Sequence, residues 1–191
     1  MPHRARVMAV IAFVLAGASA LAGEDDHLAL VPWKVLAGEE RVDAPLTLFW
    51  IPASSDELRR SELLTSADLT LFSARCVAMR VVRFDDGARL ARLKIGEELP
   101  VAVLVDRDSR LLGRVESVDG VLPLTKIEEL VRDELNAREG LAEAALDEAR
   151  RRADSGELDA ALAIYNSLWE QRCVCPRQGK DARRAMKKLK R

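Results

Sequence analysis

The chain has 191 residues, of which 30 are basic and 31 acidic, for a formal net charge of −1. This balance leaves no electrostatic case for nucleic acid, and aromatic residues at 4% provide no platform for stacked bases. With 49% apolar residues the chain is not disordered; it can hold one ordinary domain plus an appendage, with a core built from Leu, Val, Ile and Ala.

Residues 1–22 read as a separate object. Arg4 and Arg6 precede an apolar stretch over 7–15, small residues follow, and Ala20-x-Ala22 fits a signal-peptidase site before Gly23. The apolar run falls short of the roughly 20 residues that span a bilayer. No cysteine follows the cleavage point, which argues against a lipid anchor. The expectation is an exported protein, periplasmic or extracellular, in a compartment where disulfides persist. An extension over 23–43 follows, with a short extended segment at 31–36, a turn at Gly38-Glu39-Glu40, and Trp33 packed against the edge of the main domain.

Residues 46–51 form a continuous apolar run of strand length, as expected of a central strand covered on both faces. Pro52 ends it. Ser54-x-x-Glu57 has the spacing of a capping box, which predicts a helix to about Leu64, with a second piece from Ser66 or Asp68 through Phe72. Residues 76–84 read as the next strand, with Cys76 a small buried apolar side chain and Asp85-Asp86-Gly87 as the stop. A short helix over 88–94 places Leu90 and Leu93 on one side. Glu98-Leu99-Pro100 leads into a second buried strand over 101–106, and 111–115 returns as its hairpin partner. Thr125-x-x-Glu128 caps a further helix carrying Ile127, Leu130, Val131 and Leu135, and Gly140 ends the domain. Beyond it, the pattern predicts helices over 141–153, 158–169 and about 181–189, with a turn at 154–157.

Phe49-Trp50 followed by a small polar loop at a helix start resembles the active-site segment of the thioredoxin superfamily. Ser54 and Glu57 stand where the two cysteines of Cys-x-x-Cys would be. The order strand, helix, strand, helix, strand, strand, helix over 44–138 is that of the family, and Leu99-Pro100 sits where it carries a cis-proline facing the loop. Gly156, Leu158, Ala161, Tyr165 and Leu168 resemble the turn glycine and second-helix packing positions of a tetratricopeptide repeat, with Ala149 the one match in the first helix. The resemblances imply an α/β fold, a thioredoxin-like three-layer sandwich with a C-terminal tetratricopeptide-like helical hairpin. The expected boundaries are 1–22 signal peptide, 23–43 extension, 44–139 thioredoxin-like domain and 140–191 helical tail. One and a half repeats cannot bury a core alone, so the tail should lie on the first domain or on another subunit.

Thiol–disulfide exchange needs a thiolate at the helix start and a second sulfur to resolve the mixed disulfide. Serine supplies neither, and Ser54 and Ser55 read first as helix caps. A serine nucleophile lacks a base, since His3 leaves with the leader and His27 lies in the tail that follows it. No cofactor and no metal site are expected, because Cys173-x-Cys175 has no third sulfur or histidine nearby. That pair can bridge itself, bridge to Cys76 with one thiol left over, or stay reduced; the expectation is that any disulfide lies within the tail. The basic run at 183–191 reads as a solvated helix end or as a contact for an acidic surface.

The functional expectation is a redox-inactive protein- or peptide-binding module. By resemblance, Trp50, Ser54, Ser55, Glu57, Leu99 and Pro100 line its groove, with Glu57 disfavouring acidic ligands. Two alternatives stand beside it: a thiol–disulfide oxidoreductase or isomerase using Cys173 and Cys175, and a docking or scaffold subunit of an envelope assembly that works through its tail.

Overall fold

A computed structural model of the chain describes residues 30–37, 40–96 and 98–189. The expected leader and the first residues of the extension lie outside the described residues. The described residues form a five-stranded mixed sheet of β1 (Lys34–Val35), β2 (Leu46–Ile51), β3 (Val77–Val81), β4 (Val101–Asp106) and β5 (Leu111–Glu116), in the order β1-β3-β2-β4-β5. β2 is parallel to β3 and antiparallel to β4, with Leu46 opposite Val77 and Ile51 opposite Val101.

The central place of β2 follows from its composition, since all six of its residues are buried. Successive side chains of a strand point to opposite faces. Leu46, Leu48 and Trp50 join Met79, Leu104, Leu69 and Phe72 in one core; Phe49 and Ile51 join Val101, Val103 and Val105 in a second. The first core is closed by α2 (Ala67–Ser73) and α4 (Leu124–Asp154). The second is covered by Leu36 and by Leu90 of α3 (Gly87–Arg92) together with Leu93 just beyond it.

The helix expected to run from a Ser54 cap to about Leu64 is instead divided. α1 (Glu57–Arg60) is a single turn, and Ser61 takes an extended conformation before a 3-10 turn at Glu62–Leu64. The Ser61 hydroxyl accepts from the Leu63 amide at 3.3 Å, a local bond that competes with helix continuation. Thr125 and Glu128 do not form a capping box: α4 starts at Leu124 behind Pro123, and Glu128 instead accepts the Ser66 hydroxyl at 2.7 Å. Ser66 in turn caps α2 by accepting from Leu69 N at 3.0 Å.

Gly140 does not end a helix. α4 runs through it for 31 residues, burying Ile127, Val131 and Leu135 against the sheet and Ala142, Leu146 and Ala149 against the helices that follow. One exposed glycine costs a helix about 1 kcal/mol relative to alanine, less than the apolar packing on either side returns. α5 (Leu158–Glu170) packs back on α4 after a turn in which Gly156 takes φ +83°. α6 (Pro176–Leu189) starts five residues earlier than expected, at a proline whose fixed φ suits a first helical position. Gly179 lets α6 approach the end of α5 and the turn after it: a Cβ there would lie 3.3 Å from Leu168 O and 2.5 Å from Cβ of Arg172.

A Cβ on Gly140 meets nothing within 4 Å. Gly140→Ala should therefore raise stability by about 1 kcal/mol, or roughly 2–4 °C in Tm. Gly179→Ala should lower it by about 1–3 kcal/mol through overpacking. Thermal and denaturant unfolding of the two variants check both signs.

Candidate functional site

The loop after β2 is held from within. Glu57 accepts the Ala53 amide at 2.7 Å through Oε2 and the Trp50 indole N–H at 3.3 Å through Oε1. The Ser54 hydroxyl accepts from the Glu57 amide at 3.2 Å. Three donors are thus satisfied by two side chains, which explains how a loop of small residues keeps one shape at the sheet end. Pro100 precedes Val101, the partner of Ile51, so antiparallel register sets it level with Pro52 beside this loop. The Leu99–Pro100 peptide is cis.

The six residues expected to line a groove divide by burial. Ser54 and Ser55 are exposed, Glu57 and Leu99 half-buried, and Pro100 buried. Trp50 is not a surface residue. It is fully buried in the core that α4 closes, edge-on to Trp33 with centroids 5.4 Å apart, and Trp33 donates its indole N–H to Leu63 O at 2.7 Å. The alternation of β2 requires this, because Trp50 shares a face with Leu46 and Leu48.

A concavity that the sequence reading missed adjoins the loop. A hollow of about 280 Å³ is lined by Glu57, Arg60, Leu63, Val121 and Leu122 among others. Its rim carries Val121, 67% exposed, and the adjacent turn carries Val118, 63% exposed. Val118 and Val121 bridge each other across Asp119-Gly120, both at positive φ. An Asp-Gly pair between apolar residues is the sequence signal that would have placed this turn. Histidine does not occur among the described residues, and nothing in the loop's hydrogen bonding activates the Ser54 hydroxyl.

The sulfur chemistry lies elsewhere. Cys76 is disulfide-bonded to Cys173 with Cα atoms 5.8 Å apart, and Cys175 is a buried free thiol. This corrects the expectation of a disulfide confined to the tail: the bond spans 97 residues and ties the turn before β3 to the turn between α5 and α6. Cys76 is not a simple core residue either, since it takes φ +59° at the end of its turn. Arg75 fastens the same place by pairing with Glu139 of α4 and donating to Val174 O at 2.6 Å. Burial pushes the Cys175 thiol above its ordinary range and Glu139 adds to this, while Arg75 and Arg138 pull the other way.

Cys76 precedes Val77, the partner of Leu46, so the disulfide stands at the opposite end of β2 from residues 52–57. Six residues at about 3.3 Å each put roughly 20 Å between them. The Cys76–Cys173 bond is therefore remote from the loop at 52–57. Among the described residues no cluster of His, Cys, Asp or Glu is arranged to hold a metal, and no helix is long and apolar enough to cross a membrane.

Fold and site together define a mixed α/β protein, with a five-stranded mixed sheet, C-terminal helices, and a loop at the sheet end without thiols. Comparison of the chain with family models and with curated proteins returns no match to either.

Two outcomes are expected at these sites. Glu57→Gln presents one acceptor where two donors converge, and should lower stability by about 1–2 kcal/mol in denaturant unfolding. Cys175 should resist alkylation near pH 8 in the native protein and react readily once unfolded, in a mass-spectrometric time course. Because its folded-state pKa is raised, the thiol's contribution to stability is present below the unfolded value of about 8.5 and is lost as pH rises past it.

Proposed function

We propose that this is an exported protein with a thioredoxin-like fold and a tetratricopeptide-like helical tail, which binds protein or peptide at the end of the sheet and performs no redox chemistry there. The observation that carries the reading is the separation of the loop from the sulfur. Ser54 and Glu57, the counterparts of the family's two cysteines, are committed to internal hydrogen bonds, while all three cysteines stand about 20 Å away across β2.

What the loop retains is suited to an extended partner. Main-chain pairing beside a proline needs no thiol, Ser54 and Ser55 are exposed, and Glu57 lines the hollow whose rim carries Val121. Glu57 sets a negative charge at that surface, so neutral or basic segments are favoured over acidic ones. The oxidoreductase reading, by contrast, requires Cys173 and Cys175 to act as a pair, whereas Cys173 is bonded to Cys76 and the Cys175 thiol is buried with a raised pKa.

The test has two arms. In insulin reduction with dithiothreitol, the protein should leave the uncatalysed rate unchanged; a catalysed rate would return the oxidoreductase. In selection from a displayed library of extended peptides, binders to the full chain should lose about tenfold in affinity with Pro100→Ala or Ser55→Trp, at unaltered far-UV spectrum. Undiminished binding to both folded variants would move the contact surface to the tail and favour the docking reading.

A further inference from the structure

The helix α6 divides its side chains sharply. Gln178, Gly179 and Ala182 are buried, and Ala185, Met186 and Leu189 pack against the core beside them. The remaining face carries Arg177, Lys180, Arg183, Arg184, Lys187 and Lys188, with Asp181 as the one carboxylate. Six cations against one acid, in a chain whose net charge is −1, make this a strong local excess.

Internal pairing removes little of it. Arg177 meets Glu143 at 3.2 Å and Arg184 meets Asp181 at 3.2 Å, both on the surface, where such pairs are weak. The exposed Lys180, Lys187 and Lys188 make no ion pair among the described residues. Arg183 is held over Trp169 at 4.8 Å, and Arg172 lies over the same ring at 4.5 Å. The indole therefore orients guanidinium groups and is not free to insert into an apolar phase.

We propose that this face of α6 is an electrostatic docking surface for an anionic lipid bilayer. Fourteen residues at about 1.5 Å each give a straight, convex rod close to 20 Å long. Such a surface has no converging groups for a small ligand, but a plane laid along it can meet Lys180, Lys187 and Lys188 together at lipid phosphates. A nucleic-acid groove would wrap further and meet the carboxylates of neighbouring α4, among them Glu143, Asp147 and Glu148. Attachment is peripheral and reversible, since no apolar side chain on this face accompanies the charge.

Vesicle co-sedimentation of the full chain tests this with three lipid or polyanion probes: phosphatidylcholine, phosphatidylcholine with about 30% phosphatidylglycerol, and duplex DNA. The expected result is at least about tenfold tighter binding to the anionic vesicles than to the neutral ones, lost by roughly 0.5 M salt. Lys180→Glu/Lys187→Glu/Lys188→Glu should bind both vesicles alike with an unchanged circular dichroism spectrum. Residues 1–22 are common to both proteins, so any contribution from them cancels. A variant that keeps the anionic preference, or a wild type without one at low salt, overturns the proposal. Retention of DNA without preference for anionic vesicles overturns it in favour of nucleic acid.

Discussion

One helix belongs to both halves of the molecule. α4 covers the sheet with Ile127, Val131 and Leu135, and two turns later receives α5 and α6 on Ala142, Leu146 and Ala149. Because α4 continues unbroken from Leu124 to Asp154, the placement of the tail depends on how α4 lies on the sheet. A single buried cluster runs from Val31 near the sheet edge to Ala182 in α6. This resolves how so few tail helices bury a core: they extend a core that the sheet begins. The Cys76–Cys173 bond and the Arg75 contacts then fasten the far turn of the tail back to the start of β3, and the bond restricts the unfolded chain over a separation of 97 residues.

This architecture separates the disulfide from the loop after β2. At one end of β2 the disulfide closes the tail; at the other, Glu57 and Ser54 hold a loop without a thiol. Reactivity of a cysteine depends on thiolate population and access, and the free thiol has neither, being buried at 1% exposure with a raised pKa. The exposed features are of a different kind: Val118 and Val121 at a turn beside a hollow that Glu57 lines, and a row of cations on α6.

Much of the fold was legible because the informative signals were local. The uninterrupted apolar runs at 46–51 and 101–105 placed the two central strands, and the spacing of Ala161, Tyr165 and Leu168 placed α5. β1 is only two residues long and owes its strand geometry to pairing with Arg80 and Val81, a tertiary effect. Gly140 misled because local propensity disfavours glycine in a helix while packing on both sides keeps α4 intact. The bridge to Cys76 stood in the sequence only as one of three alternatives, since a separation of 97 residues leaves no local trace to choose it. At the candidate site, Ser54 and Glu57 stand in or next to the loop after β2, but Trp50 was assigned to the surface by family pattern although it shares a strand face with Leu46 and Leu48 and is buried with them. The Val118–Val121 turn carried a readable Asp-Gly signal that the strand-by-strand reading passed over.

If α4 joins sheet and tail into one cooperative unit, its middle should open only when the whole molecule does. Native-state hydrogen exchange on the oxidised protein measures this directly. Amides of α4 around Gly140, of β2 and of α5 should exchange with the same opening free energy, equal to that of global unfolding. Exchange of α5 and the second half of α4 at a clearly lower free energy than β2 would mean that the tail unfolds on its own, and would contradict the account.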